Sequence, residues 1–151
     1  MMTLKKQKLF DVCSLQLKAK IKSVHDAMAL QNESANSDTK SSAGDKFETG
    51  TAMTHLELEK LGNQLQGLET NLRKLNAFEN SKPSLMAQAG SLIRTERNQF
   101  WISIGVGEVS VENNKYYVIS PISPIAQQLL GKEIGFEFVF NKQKDSILEI
   151  L

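Results

Sequence analysis

The run 58-LEKLGNQLQGLETNLRKL-75 places leucine at positions 58, 61, 65, 68, 72 and 75, in steps of three, four, three, four and three. That spacing is the seam of a heptad helix, a narrow apolar stripe that a lone helix leaves in water. A partner stripe lies upstream. Phe10, Cys13, Leu17, Ile21, Val24 and Met28 follow steps of three, four, four, three and four, with slightly more drift than a strict heptad. Between the stripes lies 32-NESANSDTKSSAGD-45, rich in Ser, Asn, Asp and Gly, which is turn and cap chemistry rather than helix interior. One antiparallel register joins the two stripes: Val24 meets Leu58, Ile21 meets Leu61, Leu17 meets Leu65, Phe10 meets Leu72, and Cys13 falls beside Leu68. The same register puts the turn near Ser41, and about 30 residues on each side make an arm roughly 45 Å long. Leucine spacing by itself also permits a parallel homodimeric zipper, because steps of three and four fix neither orientation nor partner.

After Phe78 the texture changes. The segment 79-ENSKPS-84 is a short linker, and beyond it come the strand patterns FWISIGV, GEVSV, KYYVIS, FEFVF and SILEIL. Asn113-Asn114 is expected to turn one hairpin and NKQKD another. Within SPIAQQLLGK, Ser123 is a natural N-cap, Pro124 suits the first helical position and Gly131 ends the helix. The expected class is α+β: an N-terminal antiparallel helical coiled-coil hairpin over residues 1–80, with its tip near 34–48, followed by a small antiparallel β domain with one short helix over 84–151.

The 151 residues, 40% hydrophobic and 23% charged, suit one ordinary domain with an appendage or two small modules. A formal net charge of +1 gives no global attraction to nucleic acid or anionic membranes. Charge is uneven, however. Lys5, Lys6, Lys8, Lys18, Lys20 and Lys22 stand against Asp11 alone in the first 22 residues, whereas 31–50 carry Glu33, Asp38, Asp45 and Glu48 against Lys40 and Lys46. The lysines read first as a solvated helix face and second as a basic stripe that meets RNA. No apolar run reaches about 18 residues and none resembles a signal peptide, so a cytoplasmic protein without membrane attachment is expected. The single Cys13 has no internal disulfide partner and sits on the seam as a structural thiol, and no Cys/His cluster has zinc spacing. His25 and His55 approach each other in the hairpin register, but exposed histidines on a polar face are the ordinary case. GVGEVS lacks the third glycine and the helix of a dinucleotide site and reads as a strand bend.

The stretch 42-SAGDKFETG-50 holds Asp45 and Glu48 three residues apart. Two roles are open to them. As a capping box, Asp45 caps the second helix and Glu48 reaches back to a backbone N–H. As a pair of carboxylates on the same side of a first turn, they offer oxygen ligands to a hard cation.

The run 117-YVISPISPIAQQLLGKEIGFEFVF-140 resembles the C-terminal signature of bacterial transcription elongation factors of the Gre type, in which Ser-Pro-Ile-Ala, Leu-x-Gly-Lys and a hydrophobic strand recur. The likeness covers about residues 85–151. GDKFE is similar to the Gly-Asp-x-x-Glu at the tip of the same family's hairpin. The resemblance implies an FKBP-like C-terminal domain that docks on core RNA polymerase, here through Ile122, Ser123, Pro124 and Ile125. It also implies a hairpin inserted in the polymerase secondary channel, where nascent RNA or DNA lies close. The protein would be a monomeric accessory factor that stimulates the polymerase's own cleavage of backtracked RNA. It would need no cofactor beyond the Mg²⁺ of the polymerase active site. Asp45 would help hold the second Mg²⁺ and Glu48 would position the attacking water.

Departures from the family pattern are specific. Phe47 lies inside the acidic pair, TGTAM follows it, and Ile122 stands where the family commonly has Asp. They keep open a channel regulator that does not cut RNA. A non-enzymatic coiled-coil adaptor is a further alternative, while prolyl isomerase activity does not follow from an FKBP-like fold alone.

Overall fold

The computed structural model describes residues 3–38 and 44–151, with the side chains of 34–38 and 44–51 outside that description. The turn expected near Ser41 lies outside the described residues. Helix α1 runs Leu4–Asp38 and α2 runs Gly44–Asn76. Thr3 opens α1, its Oγ1 accepting from Lys6 N at 3.3 Å and its carbonyl from Gln7 N at 3.0 Å. Arg73 and Lys74 lie in the last turn of α2, where the helix dipole favours cations. α1 continues through Asn32–Asp38, a segment expected to leave the helix. Each Ser or Asn costs only a few tenths of a kcal/mol in a helix, and propagation from a long helix returns a hydrogen bond per residue.

One compact unit comprises Leu15–Leu72. Here Leu17, Thr54 and Leu61 are buried, while Ile21, Val24, Leu58, Leu65, Leu68 and Leu72 are half-buried. Both helices line one groove, with Lys20, Ser23 and Val24 on one wall and Asn63, Gln64, Gly67 and Leu68 on the other. Five residues span at most about 18 Å, whereas helices of this length extend for about 50 Å. Two such helices side by side therefore run antiparallel.

The second unit combines the helix ends, up to Ser14 and from Arg73, with the rest of the chain. Its strands are β1 Leu92–Thr95, β2 Gln99–Ile102, β3 Gly107–Val111, β4 Asn114–Ile119, β5 Glu137–Phe140 and β6 Gln143–Ile150, and the short helix α3, Pro124–Leu129, follows β4. The sheet order is β3-β4-β2-β1-β6-β5. This corrects the expectation of an antiparallel sheet, because β2 and β4 pair in parallel, Phe100 with Tyr117 and Ile102 with Ile119. After β2 the chain bends at Gly107, φ +95°, so that β3 returns one strand further out and β4 fills the gap. Ser103 N and Val106 N donate to the carbonyls of Ile119 and Val118 along that crossover. The β3–β4 turn is Glu112-Asn113 rather than Asn113-Asn114, since Val111 pairs with Asn114 and both turn residues have positive φ. Strand β1 was not anticipated. Its Leu92 and Ile93 are both buried, so it lacks the alternation of a half-exposed strand.

Strand alternation divides the core. Ile93, Phe100 and Ile102 gather on one face with Ala87, Ala126, Leu129, Phe138 and Ile147, and α3 packs there. Phe100 stacks on Tyr117 at 5.6 Å and meets Phe140 edge-on at 5.1 Å. Leu92, Trp101, Val109, Tyr116 and Val118 are buried on the other face. The same unit's helix ends cover that side with buried Leu9, Phe10, Cys13 and Leu75, and Lys8 Nζ reaches Glu112 Oε1 at 2.7 Å.

In α2, a Cβ added at Gly62 or Gly67 meets nothing within 4 Å. Alanine at each position is expected to stabilise the helix by about 1 kcal/mol. Urea unfolding followed by circular dichroism checks this, and unchanged or lowered midpoints would show that close approach, not chance, holds the glycines.

Candidate functional site

The corner between β4 and α3 is built from short polar ties. Ser123 Oγ donates to the Ser120 carbonyl at 2.7 Å and accepts from Ala126 N at 3.3 Å, capping α3. Ser123 N donates to the same carbonyl at 3.0 Å, and Ile122 N donates to Ser120 Oγ at 3.3 Å. Gln127 Nε2 closes the corner on the Pro121 carbonyl at 2.7 Å. Pro124 takes the first helical position, so it withholds no needed donor. Of the four candidate docking residues, Ser123 is the cap, Ile125 is half-buried against the core, Pro124 is exposed, and Ile122 projects with 85% of its surface exposed. The corner thus presents an apolar side chain and no charged one.

Asp45 and Glu48 fall in the first two turns of α2, and their side chains lie outside the described residues. The catalytic, metal and capping roles all rest on those side chains. Phe47 lies outside the description too. His25 and His55 are exposed, and among the described residues no group of three or more His, Cys, Asp or Glu could hold a metal ion. Among the same residues no helix is long and apolar enough to cross a membrane.

Two charged residues have places that the sequence did not signal. Lys6 belongs to the lysine series read as a solvated face, yet it is fully buried, with Nζ 3.4 Å from Ser81 Oγ. Burial lowers its pKa from the ordinary 10.5. Lys5, Lys18, Lys20 and Lys22 are exposed as expected. Asp145, inside a segment read as a turn, is 3% exposed. It accepts from Thr95 Oγ1 at 2.8 Å, Asn98 Nδ2 at 3.0 Å, Ser146 N at 2.9 Å and Arg97 N at 3.2 Å, and so fixes the β1–β2 turn to β6. Thr-x-x-Asn before a strand was the available hint, though its carboxylate partner lies 47 residues away from Asn98. Cys13 is buried, and burial pushes its thiol up to about 11.

No family model, characterised protein or solved structure matches the chain.

Replacing Asp145 by Ala leaves several donors short of an acceptor and is expected to cost about 3 kcal/mol in urea unfolding. Lys6 makes a pH test. Its folded state releases the proton more readily than the unfolded chain, so its contribution to stability rises as pH climbs towards 10.5. Cys13 acts oppositely, costing stability as pH passes above 9.0, but it is common to both proteins when wild type is compared with Lys6→Met. The stability gap in favour of Lys6→Met should therefore narrow as pH rises. A gap independent of pH would show that Lys6 is not desolvated.

Proposed function

We propose that this protein is a Gre-type factor that binds core RNA polymerase, inserts its helical arm in the secondary channel and stimulates cleavage of backtracked RNA. On this reading the helix pair is a coiled-coil hairpin and the sheet unit is FKBP-like, and the protein works in the cytoplasm. The observation that carries the proposal is the placement of the acidic pair. Asp45 and Glu48 sit at the joined end of two antiparallel helices, and α2 then runs about 40 Å before Arg73, where the sheet unit resumes. The capped Ser-Pro corner supplies the second half of the family likeness.

The division of labour follows from chemistry. Hydrolysis of a phosphodiester by the polymerase depends on its Mg²⁺ ions. Asp45 offers an oxygen ligand to the loosely held ion, and Glu48 accepts a hydrogen bond from the attacking water. Ile122, Ser123, Pro124 and Ile125 dock the factor. A non-cleaving channel regulator is favoured by one observation, the apolar Ile122 and the inserted Phe47 in place of the family's pattern.

In a backtracked elongation complex, wild-type protein is expected to accelerate Mg²⁺-dependent release of a short 3′ fragment. Asp45→Asn with Glu48→Gln should bind equally and lose about 100-fold of the acceleration, the scale of a positioned general base. Equal cleavage by the double amide makes the pair structural, and binding without acceleration by wild type selects the regulator. Pro124→Ala combined with Ile122→Asp should weaken polymerase binding while the domain stays folded.

A further inference from the structure

The β1–β2 turn and the start of β4 border an open groove of about 330 Å³ at one end of the sheet, and all seven residues that line it are polar or charged. Arg94, Arg97 and Lys115 bring three cations to it, against the single carboxylate of Glu96. Sites for small organic ligands are lined mostly by apolar side chains, so this groove offers no grip to a ring or an acyl chain. Its backbone is fixed from beneath: Arg97 N and Asn98 Nδ2 donate to buried Asp145 at 3.2 and 3.0 Å. The exposed Arg97 side chain gives Nε to the Lys144 carbonyl at 2.9 Å, and its two terminal nitrogens have no partner among the described residues. Arg94 reaches Glu149 at 3.2 Å and Lys115 reaches Glu108 at 3.0 Å, while Lys115 Nζ also rests 4.9 Å from the centre of the Tyr117 ring. Both ion pairs are solvated, hence weak, and each cation keeps further N–H donors for a stronger acceptor.

We propose that this groove binds the phosphodiester backbone of a nucleic-acid strand, with the Arg97 fork on one phosphate and Arg94 and Lys115 on its neighbours. A guanidinium matches two phosphate oxygens at once, and contacts of this kind position a strand without reading its sequence. The occupant follows from the acids already present. To draw Arg94 and Lys115 from Glu149 and Glu108, a ligand must bring something that a carboxylate lacks. A polyphosphate backbone does, because its condensed counterions are released when cations replace them, whereas a lone phosphate ion has none to release. The inference does not depend on the polymerase reading. It also differs from the α1 lysines, which carry the same charge on another element and serve as the internal comparison.

The test is binding of the full chain to a fluorescein-labelled oligouridylate of about 20 nucleotides, read by anisotropy between about 50 and 200 mM KCl. With three cations engaged, log K is expected to fall with log[salt] at a slope of about −2, a loss of about 20-fold over that range. Arg97→Gln with Lys115→Gln should weaken binding about tenfold or more at the lower salt and reduce the slope to about −0.7, with an unchanged melting temperature. Lys18→Gln with Lys22→Gln should change affinity by less than about twofold. Glu96→Gln removes the groove's one carboxylate and should tighten binding about threefold, a gain that a damaged fold does not produce. Binding by the Arg97 and Lys115 double variant within about twofold of wild type, a loss confined to the helix variant, or no binding by wild type at the lower salt overturns the inference. Polyglutamate that competes as well as unlabelled oligouridylate assigns the groove to an acidic polypeptide, and inorganic phosphate that does so assigns it to a single phosphate group. Either outcome overturns the strand.

Discussion

The central strands bury side chains on both faces. Ile93 and Phe100 face one way, Leu92 and Trp101 the other, and all four are 1% exposed or less. Each such side chain is worth about 1.5–3 kcal/mol when withdrawn from water, so neither side of the sheet can be left open. On one side the cover is α3 with Ala87. A six-residue helix has no stability of its own, and α3 exists because Ser123 caps it and Ala126 and Leu129 are held in the core. On the other side the cover is the base of the helix pair, with Trp101 Nε1 kept satisfied by the Gly90 carbonyl at 3.2 Å. The requirement for two covers is what ties the long helices into the sheet unit.

The outer unit has no comparable anchor. Its seam is only a stripe wide, its seam leucines Leu58, Leu65, Leu68 and Leu72 are half-buried, and Lys20, Asn63, Gln64 and Gly67 wall an open groove.

Legibility followed range. Helices were readable because a stripe at steps of three and four is a local signal, and α3 because Ser123, Pro124 and Gly131 mark its ends within nine residues. β1 was hidden by burial on both faces. The parallel pairing of β2 with β4 follows from a crossover around β3 that neither strand encodes. Lys6 and Asp145 were misjudged for one reason: a charged residue reads as exposed until its surroundings are known, and theirs come from residues 75 and about 50 positions distant. Of the candidate site, the capped β4–α3 corner was legible as local structure because it is built from neighbours in sequence, while the acidic pair depends on side chains outside the described residues.

On the proposed reading, docking and chemistry are separated by design of the chain. On that reading Ile122, Ser123, Pro124 and Ile125, which carry no charge, would supply affinity. Asp45 and Glu48 carry charge and little apolar surface, so they contribute almost nothing to affinity and cannot hold the factor at the metal site by themselves. A tip that bound the active-site Mg²⁺ tightly would block it; carboxylates brought there only by a distant anchor raise the local concentration of ligand without a standing barrier to the polymerase.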